Sequence, residues 1–225
     1  MFSDIISNFN LERILLTIPA ILIALTLHEL AHGFVALRLG DTTARDMGRL
    51  SLNPIKHLDP LGALFLLIVG FGWAKPVPVN PTNFQQNRVR GMALVGVAGP
   101  ACNLLQALFG GILLTIMAKV WYSGAITSDA AFTAMNYFVL FLMYYVQINI
   151  VLMIFNLIPI PPLDGSRIVA GFLKPDARWR YYQIEQFGMI IMMLLCITPV
   201  ISWILGPPVE GICDFIFSTS GIFGN

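Results

Sequence analysis

Four stretches of the chain are almost unbroken in apolar residues, at positions 14–37, 92–117, 132–158 and 187–205. Each is close to or beyond the ~20 residues a helix needs to cross a bilayer. In lipid, backbone groups must be satisfied within the segment, so the pattern predicts helices rather than open strands. A fifth apolar run, 61–73, is too short to span as a helix. It is followed by "AKPVPVNP" (74–81), whose prolines cannot continue one. The pattern predicts an all-α polytopic membrane protein. It would be a bundle of about five transmembrane helices, with a re-entrant segment or short β-hairpin after the first span.

Composition agrees and removes other classes. Charged residues make up 11% and hydrophobic residues 57%, whereas a soluble domain carries about 25% charge. A net charge of +1 leaves no basic surplus for nucleic acid. Cys102, Cys196 and Cys213 are too few and too scattered for a disulfide framework. The first apolar run lacks a small-residue cleavage site, so it is read as a retained span. No long polar stretch marks an appended soluble domain. The expectation is one membrane domain over 1–225, with a core at about 14–170 and an accessory span at about 187–205.

Charge decides the topology. If the short run dips in and returns, segments 38–60, 74–91 and 159–186 share one side. That side then holds all Lys and Arg except Arg13 and Lys119, eleven against two. If the short run crosses, the split is five against eight. The positive-inside rule prefers the first arrangement. The N-terminus is then outside, and the first span exits to the cytoplasm near Arg38.

That topology gathers the polar residues of the spans. His28, Glu29 and His32, in "TLHELAH" (26–32), lie ~9–15 Å below the cytoplasmic boundary at 1.5 Å per residue. Asn103 lies at ~20 Å on the same measure, and Asn156 and Asp164 sit at the cytoplasmic end of the run 132–158. His28 and His32, four apart, face one way on a helix and can bind one metal. Glu29 is turned aside, near the metal's open position. This is the H-E-x-x-H arrangement of two ligands and a general base. Ionisable groups are costly in a membrane, so the cluster points to function. A catalytic zinc site needs a third protein ligand. The residues alone leave His57, Asp59 and Asp164 as candidates. The first two lie in a polar segment where a turn before Pro60 accounts for them.

"HELAH", "GPACN" (99–103) and "NLIPIPPLDG" (156–165) together resemble the three signatures of the site-2 protease family of intramembrane zinc metalloproteases. Segment 40–62 is also similar to short prokaryotic members. The resemblance spans residues 20–170. It implies one zinc ion per chain on His28, His32 and Asp164, with Glu29 as general base and acid. It places Asn103 and Asn156 near the substrate, as substrate-binding or transition-state groups. The substrate implied is a transmembrane segment of another membrane protein. "GWAKPVPVNP" (72–81) resembles the family's membrane-associated β-hairpin, whose edge could hold an unwound substrate. No PDZ insertion and no nucleotide-binding regulatory domain is expected. "FLKPDARWR" (172–180) reads as a basic interfacial loop, and "ICDFIFS" (212–218) as a cap on the outer end of the bundle. The competing readings are a divalent-metal transporter or sensor, and an inactive relative that binds helices. Transport calls for ligands along a path, and the outer halves of the predicted spans carry no acid or histidine.

Overall fold

The computed structural model describes residues 11–62, 73–85 and 87–222. Seven helices carry the architecture: α1 (Leu11–Arg38), α2 (Arg88–Tyr122), α3 (Asp129–Leu157), α4 (Asp164–Phe172), α5 (Pro175–Gln183), α6 (Gly188–Ile197) and α7 (Val200–Ser220). Among the described residues, α1, α2, α3 and α7 are long and apolar enough to cross a membrane. The chain is a helical, multi-pass membrane protein. Most of the short run 61–73 lies outside the described residues.

Helix ends follow from local chemistry. α1 stops at Gly40, whose φ of 106° is open to glycine. There the Asp41 N–H reaches back to the Ala36 carbonyl at 3.0 Å. α2 starts on Asn87, whose side chain accepts from Val89 N and Arg90 N, and α3 on Ser128, which accepts from Ala131 N. α3 stops before the prolines at 159, 161 and 162, which cannot extend it.

α2 is the centre of the bundle and packs on α1, α3, α4 and α7. Its buried side carries Gly91, Gly96, Gly99, Gly110 and Gly111, and that of α1 carries Ala20, Ala24 and Ala36. Small residues let membrane helices approach closely. α2, α3 and α7 enclose an apolar core that includes Leu114, Leu142, Val146, Ile150, Val209 and Ile216. Leu105, Phe109, Ile112, Trp203 and Phe215 point outward, as lipid-facing side chains should.

Between α1 and α2 the chain is irregular. Among the described residues it forms no strand, and the sole bridge pairs Leu58 with Ala74. Segment 73–80 is nevertheless firmly clamped. Lys75 N–H donates to the His57 carbonyl at 2.9 Å, and Arg49 Nη2 donates to the Lys75 carbonyl at 2.8 Å. The buried carboxylate of Asp41 accepts from Asn80 N (2.7 Å), Asn83 Nδ2 (2.8 Å) and Thr43 Oγ1 (2.5 Å). Burial pushes the Asp41 carboxyl up, but these donors outweigh it and hold it below the ordinary value.

The last part of the chain departs from the expectation. The run 187–205 is not one helix. It is divided at Thr198, which is extended, between α6 and α7. "ICDFIFS" is no separate cap but part of α7. Pro207 and Pro208 lie inside α7, and helix continues on both sides of them. Each proline removes one backbone donor, a loss that membrane helices tolerate when neighbours re-satisfy the freed carbonyls. α7 thereby includes Glu210 and Asp214, which the hydropathy pattern places beyond the last span.

Candidate metal centre

The buried stripe of α1 runs Ala20, Ala24, His28, His32, Ala36, one residue per helical turn. It puts both imidazoles against α2. The rings stand nearly perpendicular, at 85°, with centroids 4.6 Å apart. Their Nε2 atoms approach to 3.0 Å. The third corner comes from α4, where the proline-rich turn after α3 delivers Asp164 at the first helical position. Asp164 Oδ2 lies 3.2 Å from His28 Nε2 and 3.1 Å from His32 Nε2. All three residues are buried. Arg167 Nη1 stands 3.6 Å from the other oxygen, Oδ1.

The hydrogen atoms of this triangle can be placed by following the bonds outward. His32 Nδ1 faces the Val95 carbonyl at 2.7 Å. A carbonyl only accepts, so Nδ1 carries the proton and Nε2 a lone pair. His28 Nδ1 faces Asn103 Oδ1 at 2.5 Å, which leads to the same tautomer. Three acceptors therefore converge: two imidazole lone pairs and a carboxylate oxygen. Asp164 Oδ2 is buried and has no hydrogen-bond donor. Such an arrangement repels itself unless a cation holds it.

The dimensions suit a metal. Ligand atoms around a tetrahedral zinc with bonds of about 2.0–2.1 Å lie about 3.3 Å apart. The observed edges are 3.0–3.2 Å. Gly99 on α2 walls the site closely. A methyl group there would stand 2.5 Å from His32 Nε2 and 2.6 Å from His28 Nε2. Only the missing side chain leaves room for an ion. Among the described residues, these three form the one group of histidine, cysteine and acidic side chains able to hold a metal ion.

A profile described as Peptidase family M50 matches residues 16–199. The chain belongs to this family. Over 205 residues, 90% of each chain, this M50 peptidase is 42% identical to "Putative zinc metalloprotease YwhC" of Bacillus subtilis (strain 168). Over 193 residues it is 30% identical to "Putative zinc metalloprotease Rip2" of Mycolicibacterium smegmatis, covering 84% of this chain and 69% of the relative. No solved structure gives a significant match.

The remaining candidates separate. Glu29 accepts from Val77 N–H through Oε2 at 2.8 Å, so segment 73–80 holds its carboxylate. Asn103 is fully buried with both ends of its amide engaged, Oδ1 by His28 and Nδ2 by Asn149 Oδ1 at 2.8 Å. Asn156 donates to the carbonyl of Leu152, one turn back on its own helix, at 2.9 Å. The alternative third ligands have structural tasks. His57 Nε2 donates to the Ser51 carbonyl, and Asp59 Oδ1 accepts from Leu61 N and Gly62 N. Sequence reasoning missed Asn149, which is fully buried. Its signal was available, since an amide inside an apolar span needs a partner.

Proposed function

We propose that His28, His32 and Asp164 hold a single zinc ion in this M50 peptidase and that Glu29 is its general base and acid. The protein is an intramembrane zinc protease, and zinc is its cofactor. The observation that carries the residue assignment is the convergence of three buried acceptors from α1 and α4, without a donor among them. Zinc bound there would lower the pKa of a coordinated water to ~7. Glu29 adjoins His28 in sequence. With Oε2 held by Val77 N–H, Oε1 is the atom to take a proton from the attacking water and return it to the departing amine. The substrate we infer is a transmembrane segment of another protein, unwound so that its carbonyls are accessible.

Segment 73–80 suits the role of a docking edge for that substrate. From Lys75 to Pro78 it has no free N–H. Those of Lys75 and Val77 are engaged, and Pro76 and Pro78 have none. A substrate strand laid along this stretch would donate its own N–H groups to carbonyls and receive none in return. Replacing Pro78 and Val79 with residues that disrupt an extended edge should lower cleavage without removing zinc. Unchanged turnover would refute the docking role. Asn156, near the turn to Asp164, is assigned to the substrate as well. Asn103 is assigned to His28. The charge distribution supports an external N-terminus and a site in the cytoplasmic half of the cell membrane.

The deciding experiment uses a membrane-spanning reporter. Glu29→Gln should reduce cleavage by about 10²–10⁴-fold while zinc content stays at one per chain. Normal cleavage by that variant would remove Glu29 from the mechanism. A transporter or sensor would bind zinc but leave the reporter whole, with or without chelator.

A further inference from the structure

The bonds behind His28 continue past Asn103, and their direction can be read from the far end. The chain of partners runs His28 Nδ1, Asn103, Asn149, and finally the backbone carbonyl of Tyr145. Asn149 Nδ2 lies 2.9 Å from that carbonyl, which can only accept. The Asn149 amide is thereby fixed with Oδ1 toward Asn103. Asn149 Oδ1 can accept only from Asn103 Nδ2, at 2.8 Å, which turns Asn103 Oδ1 toward His28. His28 must then donate from Nδ1, which in the neutral imidazole leaves the lone pair on Nε2, where the triangle with His32 and Asp164 closes. Without Asn149, nothing in this chain prevents the Asn103 amide from turning over. Its NH₂ would then face His28 Nδ1 and favour the proton on Nε2, the tautomer that cannot bind a metal through Nε2.

We infer that Asn149, on α3, is a positioning residue that selects the metal-binding tautomer of His28 through the amide of Asn103. The inference rests on the reading of His28 as a zinc ligand. It concerns a residue that touches neither ligand atoms nor substrate. Groups that orient metal-bound histidines typically account for 10–100-fold in metal affinity, and both Asn103 and Asn149 are fully buried, out of reach of water as a substitute.

The test uses the full-length protein in detergent or proteoliposomes and two readouts. The first is zinc affinity by competition with a chelator. Asn149→Leu should weaken zinc binding about 10–100-fold. Asn149→Asp still presents an acceptor to Asn103 in either protonation state and should keep wild-type affinity. Gln106→Met is the control. It removes another buried amide, bonded to the Tyr145 hydroxyl at 2.7 Å but not to either histidine, and should leave zinc affinity unchanged. The second readout is the ¹⁵N spectrum of histidine-labelled, zinc-free protein. The chain has three histidines. His57 donates from Nε2 to the Ser51 carbonyl and serves as the reference for the opposite tautomer. Wild type should show His28 and His32 protonated on Nδ1, and Asn149→Leu should move His28 toward Nε2–H. Wild-type His28 protonated on Nε2 and not on Nδ1 would overturn the inference, as would equal loss of zinc in Gln106→Met and Asn149→Leu. His28→Ala separates the layers. If it binds zinc normally, the ligand reading itself fails. If it loses zinc while Asn149→Leu does not, only the role of Asn149 fails.

Discussion

The two interiors of this bundle are built on opposite principles. Where α1, α2 and α4 meet, the buried side chains are His28, His32, Asp164 and Asn103; the two imidazoles and the amide are fixed by direction-specific bonds, and Asp164 Oδ2 has no donor. Where α2, α3 and α7 meet, the interior is mainly Leu, Ile, Val and Met, held chiefly by shape. Lipid is as apolar as leucine, so the second interior gains little from hydrophobic transfer and depends on close packing. The first depends on every polar atom having a partner, and an ion would supply the one that Asp164 Oδ2 lacks. Damage should therefore be local and chemical in one region, diffuse and mechanical in the other.

The largest effect that would test this contrast is loss of a ligand. Asp164→Ala should abolish stoichiometric zinc binding and bring cleavage of a membrane reporter to background. Gly99→Ala should come next. Its methyl would overlap both imidazoles, so zinc affinity should fall, and because the clash is there with or without the ion, the zinc-free protein should also unfold at a lower temperature. Leu142→Ala makes the opposite claim for the apolar interior. It should cost about 2 kcal/mol, the low end for a leucine truncation, measured by unfolding in mixed micelles, with zinc affinity intact. Loss of zinc in that variant would mean the two interiors are not independent.

Smaller effects should come from the polar clamp outside the spans. The Asp41 carboxyl lies lower in the folded protein than its unfolded value of about 3.9. Its stabilisation is thus complete above that value and is lost as pH falls through the folded one. Asp41→Asn should cost about 2 kcal/mol at neutral pH, and the difference from wild type should close below about pH 4. The smallest effect belongs to the lipid face. Trp203, 76% exposed, should tolerate leucine with a change under about 0.5 kcal/mol.

Those interiors were unequally legible from the amino-acid sequence. His28 and His32 stand out because four-residue spacing is a local signal, and Asp164 because a carboxylate after a long apolar run demands a cation. Asn149 was hidden. Its partner Asn103 is 46 residues away, and nothing local distinguishes an amide that bridges helices from one that caps its own. Asn156 has similar credentials yet bonds to its own helix. The end of the chain misled for another reason. "GPP" (206–208) carries the local signature of a helix stop, whereas α7 runs through it to Ser220. The clamp on segment 73–80 was likewise out of reach, since Asp41 meets Asn80 and Asn83 only after the chain has turned back on itself.

The bond from Val77 N–H to Glu29 makes segment 73–80 and the proposed proton carrier parts of one lever. Any occupant that prefers the segment with that bond intact must, by reciprocity, steady the carboxylate by the same free energy. Weakening the anchor at Asp41 would then register as a change in turnover, although that residue meets neither the ion nor the bond being cut. Recruitment and chemistry would be adjusted by a single loop, and selection on either would be felt by both.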